Sequence, residues 1–217
     1  MKKVYAINGS PRRNRNTATL LDKVLEGCRD AFQGMVETER INLGDLHYTG
    51  CKSCFACKLK DGPSYGTCAL RDDIRPVLEK IRTADAVVFG SPIYYNTITS
   101  LLHAFYERLF FPYLTYKKGF PTLVTNRMKT ACVYTMNVTE QDMLERGYRD
   151  NLRSFERYLE LYFSKPGLLY AFNTCQFDDY SKYVCGAFSG EEKLAYRTEF
   201  FPKDCEAAYR LGLNLLK

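Results

Sequence analysis

The chain has 217 residues, nine cysteines and a formal net charge of +6. This length suits one α/β domain with a sizeable core, and no apolar run is long enough to cross a bilayer. The basic residues form no stripe with interleaved aromatic side chains, which argues against nucleic-acid binding. Because the first residues lead directly into an apolar strand, we expect no signal peptide. We therefore expect a cytoplasmic protein whose cysteines are reduced thiols rather than a disulfide framework.

The first predicted strand runs into a polar loop and then directly into a helix. Ser10, Arg12, Asn16 and Thr17 place hydroxyl, guanidinium and amide donors at the positive end of that helix, where an anion is favoured. The loop lacks both the Gly-Lys-Ser/Thr ending of a nucleoside-triphosphate loop and the G-x-G-x-x-G spacing for a pyrophosphate. The pattern therefore predicts a site for a single phosphate group. The alternative is an ordinary strand–turn–helix with Asn16 or Thr17 as its N-cap.

Apolar strands and helical patterns alternate along the rest of the chain, which predicts a doubly wound parallel sheet in a single domain, residues 1–217. The predicted strands lie near residues 3–8, 36–42, 85–90, 129–135 and 167–172, and the predicted helices near 16–32, 73–83, 98–110, 141–163 and 203–216. Two long insertions, about 47–72 and 173–200, interrupt the alternation, and insertions of this length are usually functional. We expect the second to form a lid or a dimer arm.

Two later strands also end in polar loops. Pro92-Ile93-Tyr94-Tyr95-Asn96 follows the strand near 85–90, and Thr135-Met136-Asn137 ends the strand near 129–135. In open parallel sheets, ligands bind beyond the carboxyl ends of the strands. We therefore expect these two loops to converge with the phosphate loop on one ligand.

These motifs together resemble the NAD(P)H-dependent FMN reductases of the flavodoxin-like superfamily. The likeness is carried by the Gly-Ser-Pro-Arg and Asn-Thr segments of the first loop, the Gly-Ser-Pro-Ile-Tyr sequence from Gly90, and the pair Glu107-Arg108. It extends from Val4 to the closing helix with its Phe-Pro-Lys-Asp-Cys sequence from Phe201. The resemblance implies a flavodoxin-like sheet of five parallel strands, in the order 2-1-3-4-5, with bound FMN.

The resemblance also implies roles for three groups of residues. The group that holds the FMN phosphate is Ser10, Arg12, Asn16 and Thr17. The group that borders the isoalloxazine ring is Pro92, Ile93, Tyr94, Tyr95 and Asn96. The group near the far side of the ring is Thr135, Met136 and Asn137. Many relatives have glycine at the positions of Asn96 and Ser100, but Asn tolerates left-handed backbone angles, so we expect the loop to keep its shape.

The first insertion is rich in cysteine. Its candidate metal ligands are Cys51, Cys54, Cys57 and Cys68, and the first three have a spacing that lets their sulfur atoms converge on one side of a tight turn. The segment resembles the iron–sulfur flavoproteins, which implies a [4Fe-4S] cluster, although the gap before Cys68 is longer than in the best-known members. Three alternatives stay open: a cluster, four reduced thiols without metal, and zinc, which normally uses two C-x2-C pairs and fits less well.

The resemblance implies an oxidoreductase that takes hydride from NAD(P)H at its FMN and passes electrons to a quinone, a flavin or another acceptor, either a small molecule or a protein. Hydride transfer needs no general acid or base, so the sequence predicts no catalytic side chain, and neither His47 nor His103 is assigned a role. The alternative is a non-enzymatic electron carrier with a flavin and an iron–sulfur cluster. A thiol-based redox sensor is a third hypothesis.

The sequence also predicts self-association. The aromatic segment, residues 105–116, is too apolar for a solvated loop in its Phe110-Phe111-Pro112-Tyr113-Leu114 part. We expect it to pack, together with Tyr94 and Tyr95, against a second copy of the chain in a homodimer or a dimer of dimers.

Overall fold

Six strands and six helices alternate along the chain in a computed structural model that describes all residues, 1–217. The strands are β1 (Lys2–Asn8), β2 (Val36–Asn42), β3 (Ala86–Tyr94), β4 (Thr97–Ile98), β5 (Lys129–Thr135) and β6 (Gly167–Ala171). The helices are α1 (Asn16–Ala31), α2 (Arg75–Arg82), α3 (Ser100–Phe110), α4 (Glu140–Glu145), α5 (Tyr148–Tyr162) and α6 (Gly190–Asn214).

Five strands form a parallel sheet in the order β2-β1-β3-β5-β6, which confirms the predicted fold and strand order. The short strand β4 is additional. It pairs antiparallel with the end of β3, so that Tyr95 and Asn96 form the two-residue turn of a hairpin. All the parallel strands end at one edge, and the loops after β1, β3 and β5 therefore face the same side of the molecule.

The alternation of side chains along the strands divides the core into two layers. Tyr5 and Ile7 of β1 pack with α2, α3 and α5 on one face of the sheet. Val4 and Ala6 pack with α1 and α6 on the other. The central strands β3 and β5 are buried on both faces, as expected for a doubly wound sheet.

Two predicted helices differ from the structure. The helix predicted over 141–163 is broken into α4 and α5 at Gly147, whose φ of +69° is left-handed and ends the first helix. The last helix begins at Gly190 rather than at residue 203, because Ser189 caps it and Pro202 is accommodated inside it. The second insertion is therefore shorter than predicted, since residues 190–200 are helical.

Most of the aromatic segment is buried inside the chain. Phe110 stacks on Tyr162 with ring centroids 5.3 Å apart, and Tyr113 meets Phe163 edge to face at 5.8 Å. Tyr116 remains 63% exposed. The apolar character of the segment is thus explained within one chain, and homo-oligomer formation stays a prediction.

The α1 and α6 helices approach each other closely because both have glycine at their contact. A Cβ on Gly212 would lie 2.0 Å from the carbonyl oxygen of Val24, and one on Gly27 would lie 2.1 Å from that of Tyr209. Such distances leave no room for a side chain, so any larger residue must push the two helices apart.

We therefore predict that Gly212→Ala destabilises the protein by at least about 1–3 kcal/mol, the usual cost of overpacking a close contact. Gly186→Ala is the matched control, because a Cβ there meets nothing within 4 Å. Urea unfolding followed by circular dichroism measures both. Equal stability of the two variants would contradict the close approach of α1 and α6.

Candidate functional site

Three loops converge on one cleft at the carboxyl edge of the sheet. Its wall contains all the side chains predicted for the FMN site except Tyr95 and Asn96, namely Ser10, Arg12, Asn16, Thr17, Pro92, Ile93, Tyr94, Thr135, Met136 and Asn137. The cleft contains about 530 Å³ of empty space, part of it open to solvent. The tertiary structure therefore brings together residues that lie more than a hundred positions apart in the sequence.

Hydrogen bonds tie the three loops to one another. The backbone N–H of Gly9 donates to the carbonyl of Gly90 at 2.8 Å, and the hydroxyl of Thr99 donates to the carbonyl of Gly9 at 2.7 Å. The hydroxyls of Thr17 and Thr135 are 2.8 Å apart. A Cβ on Gly9 would lie only 3.0 Å from the Gly90 oxygen, so glycine permits this close contact.

The N-terminus of α1 points into the cleft without a side-chain cap. Its N-cap residue is Arg15, which makes no capping hydrogen bond, and its first turn contains no acidic residue. The alternative interpretation, in which Asn16 or Thr17 is the N-cap, is therefore wrong. Beside this helix end lie the hydroxyl-bearing residues Ser10 and Thr17, which are 4% and 2% exposed. Free N–H groups and buried hydroxyls together suit an oxyanion.

The loop after β5 carries an orphaned polar atom. Asn137 Oδ1 is buried and has no hydrogen-bond partner, although buried polar atoms in folded proteins almost always have one. The residue lines the cleft. A ligand with a hydrogen-bond donor at this point would satisfy the amide, as the imide N–H of a flavin ring would.

The hairpin turn beside the cleft has the conformation that the sequence led us to expect for Asn96. Tyr95 and Asn96 both have left-handed backbone angles, with φ of +48° and +66°, as a type I′ turn requires. Tyr95 is fully exposed and does not line the cleft. His47 and His103 are both exposed and do not line the cleft.

One wall of the cleft was not predicted from the sequence. Thr174, Cys175 and Gln176, which follow β6, line the cleft together with Arg15. Asn16 Nδ2 donates to the carbonyl of Cys175 at 2.8 Å, and Arg12 donates to that of Gln176. The predicted topology could have indicated this wall, because β6 ends at the same edge of the sheet as β1, β3 and β5, and the loop after it must therefore approach the cleft.

The four candidate metal ligands also come together. Cys51, Cys54, Cys57 and Cys68 all line a second, smaller cavity beside α3. Cys57 is buried, and this burial is the main reason that the pKa of its thiol is raised. As the side chains stand, no three Cys, His, Asp or Glu residues are arranged as ligands of one ion.

Two residues of α3 hold this cysteine loop. Arg108, only 1% exposed, donates from Nε to the Cys68 sulfur at 2.9 Å and from both terminal nitrogens to Asp72 at 2.8 and 3.0 Å. Its neighbour Glu107 accepts from the backbone N–H of Cys51 at 2.9 Å. The hydrogen bond from Arg108 keeps the pKa of the Asp72 carboxyl below its usual value.

Comparison with known proteins identifies the family. Residues 2–136 match the family model of NADPH-dependent FMN reductases. The chain belongs to this family. Over 106 residues it is 41% identical to an iron–sulfur flavoprotein of Archaeoglobus fulgidus and 35% identical to one of Methanocaldococcus jannaschii. Each alignment covers 49% of this chain and 48% and 51% of the respective relatives. The chain thus spans about half the length of the curated relatives it matches.

Solved structures extend the fold comparison beyond the part that the family model matches. An NAD(P)H:quinone oxidoreductase from Methanothermobacter marburgensis has a TM-score of 0.72 at 17% identity and covers 100% of this chain and 98% of its own. An FMN-dependent NADH-azoreductase from Bacillus anthracis, solved with FMN, has a TM-score of 0.64 at 16% identity, with 97% and 100% covered. At these identities the likeness shows the flavodoxin-like fold alone. None of the helices is both long and apolar enough to span a bilayer.

Proposed function

We propose that this chain is an FMN-dependent oxidoreductase that holds FMN in the cleft and reduces an electron acceptor with NAD(P)H. The observation that carries the proposal is the cleft itself. Its three loops supply free helix N–H groups, two buried hydroxyls and an orphaned amide oxygen, a donor and acceptor set that matches a phosphate at one end and a flavin ring at the other. Family membership points to the same cofactor.

Two groups of residues would hold the two ends of the cofactor. The phosphate would be bound by the N–H groups of α1 and by Ser10, Arg12, Asn16 and Thr17. The ring would lie between the hairpin loop, Pro92 to Asn96, and the loop of Thr135, Met136 and Asn137. When bound, FMN supplies the redox chemistry, accepting a hydride and releasing electrons in pairs or singly.

The acceptor would reach the ring past the hairpin turn. Tyr94, which lines the cleft, is 45% exposed, so the open side of the cleft presents aromatic surface. Flat aromatic surface favours a planar acceptor such as a quinone or a flavin. A homodimer that covers this side would limit oxidation of the reduced cofactor by solvent.

FMN binding tests the phosphate loop. Arg12→Ala should weaken FMN binding about ten- to a hundredfold, because a charge-assisted hydrogen bond to a phosphate is worth about 1.5–3 kcal/mol. Arg13→Ala is the matched control, since Arg13 carries the same charge in the same loop but contacts Asp45 outside the cleft. Fluorescence titration of the apoprotein with FMN measures both. Unchanged affinity in Arg12→Ala would overturn the assignment of this loop.

Anaerobic stopped-flow mixing tests the electron donor. The FMN-loaded protein should lose the visible absorbance of oxidised flavin on mixing with NADPH or NADH, and adding a quinone should restore it. The competing hypothesis, a non-enzymatic electron carrier, predicts bleaching only by a reduced protein. Failure of both nucleotides to bleach the bound FMN would refute the oxidoreductase proposal and favour the carrier.

The cysteine loop supports a second cofactor. We propose that Cys51, Cys54, Cys57 and Cys68 bind a [4Fe-4S] cluster, because all four line one cavity and the named relatives are iron–sulfur flavoproteins. Four thiolates are the usual ligand set of such clusters. A metal-free thiol loop, acting in a redox sensor, is the alternative.

Iron analysis after anaerobic purification and reconstitution tests this second cofactor. The wild-type chain should retain close to four irons, and Cys68→Ala should lose them while FMN stays bound, because the cleft is built from other segments. Cys205→Ala is the control, since this half-buried cysteine lies on α6, away from the cavity. Wild-type protein without stoichiometric iron would refute the cluster and leave the FMN proposal standing.

A further inference from the structure

One buried charge in this structure has no counter-ion. The chain buries three charged side chains, and two of them are paired: Arg108 with Asp72 and Glu156 with Arg149. The third, Lys193 in the first turn of α6, is only 5% exposed and forms no ion pair. Burying a charge without a partner is costly, so a lone buried ammonium calls for an explanation.

The surroundings of Lys193 are polar but uncharged. Its Nζ donates to the carbonyl of Asn137 at 2.7 Å and to the side-chain oxygen of Asn173, and it lies 4.9 Å from the centroid of the Phe188 ring. Burial lowers the pKa of the ammonium. The acid that acts on it from a distance, Asp142, is already engaged in the cap of α4 and in an ion pair with Arg146.

Lys193 stands directly behind the cleft. The residue whose carbonyl it binds, Asn137, lines the cleft and has the orphaned side-chain oxygen described above. Cys175, which donates to the backbone carbonyl of Lys193 at 3.2 Å, lines the cleft as well. The ammonium thus contacts the backbone of a residue that lines the space proposed for the flavin ring. In a protein interior, where the effective dielectric constant is low, a charge acts strongly on a neighbouring group.

We propose that Lys193 is a positioning residue of the flavin site, which fixes the loop of Asn137 and supplies from behind it the positive charge that favours reduced FMN over oxidised FMN. The inference rests on the proposed function, since it needs FMN in the cleft. A flavin ring gains negative charge as it takes up electrons, and nearby protein charge tunes that equilibrium. The reduced cofactor thus provides the counter-charge that the protein itself lacks.

Two substitutions test the charge in different ways, one by deleting it and the other by neutralising it. Lys193→Met deletes the ammonium and keeps an unbranched chain. Asn173→Asp keeps the shape of the site and gives the ammonium an internal carboxylate partner at the atom it already contacts; Asp, like Asn, tolerates the left-handed angle found there, φ +50°. Lys193→Arg retains the charge. Lys203→Met, an exposed lysine on the same helix, is the control.

The measurement is the midpoint potential of bound FMN, by anaerobic equilibration with a reference dye, together with the dissociation constant of oxidised FMN. Lys193→Met and Asn173→Asp should each weaken the binding of reduced FMN at least tenfold relative to oxidised FMN, which lowers the two-electron potential by about 30 mV. Lys193→Arg and Lys203→Met should keep the wild-type potential. A merely structural role for Lys193 would weaken both redox forms alike and leave the potential unchanged.

If Lys193→Met does not fold, the isosteric variant Asn173→Asp still tests whether the charge of Lys193 tunes the potential of FMN. A wild-type potential in Asn173→Asp with FMN bound would overturn the inference, and so would a lowered potential in the control Lys203→Met. Failure of the proposed function is distinguishable, because the wild-type chain would then bind no FMN before any variant is made.

Discussion

The backbone contact between Gly9 and Gly90 is the constraint on which the site depends. It brings the ends of β1 and β3 together and lets the loops that follow them form adjoining walls of one cleft. Thr99 adds a second tie, since it caps α3 and binds both the Gly9 carbonyl and, through its N–H, the Ser91 hydroxyl at 3.1 Å. A Cβ at position 9 would lie 3.0 Å from the Gly90 oxygen, and one at position 90 would lie 2.9 Å or less from Thr17 and Leu21 of α1, so a side chain at either position would disturb the phosphate loop or the helix that follows it.

Helix α3 connects the cleft to the cysteine loop. Its N-terminus is anchored at the cleft by Thr99, and its last two turns carry Glu107 and Arg108, which hold the cysteine loop in place. A span of nine residues in a helix is about 14 Å. The two proposed cofactors would therefore be placed by the same rigid element, so that neither could shift far without the other.

A buried charged side chain lies beside each proposed cofactor site, Arg108 beside the cysteine loop and Lys193 beside the cleft. Arg108 is compensated by Asp72 and also reaches Cys68, so its role is to fix a loop whose backbone includes left-handed residues such as Ser53 and Phe55. Lys193 has no such partner, and its charge is directed at the wall of the cleft. Arg108 thus stabilises the fold. The free-energy cost of burying the unpaired charge of Lys193 is explained by our proposal that a ligand in the cleft supplies its counter-charge.

The sequence by itself predicted a doubly wound parallel sheet, because strand periodicity is a local signal, and it predicted that the polar strand-end loops would meet, because parallel topology brings them to one edge. The strand order and the roles of the cleft residues came from the resemblance of these motifs to a known family. The sequence could not place the break at Gly147 or the start of α6 at Gly190, which depend on cap geometry and on packing that tolerates Pro202. Nor could it show the wall formed by Thr174 to Gln176, the burial of Phe110 and Tyr113 inside the chain, or the unpaired state of Lys193. Those features arise where segments distant in sequence meet, and only the tertiary structure decides which groups are buried there and which find a partner.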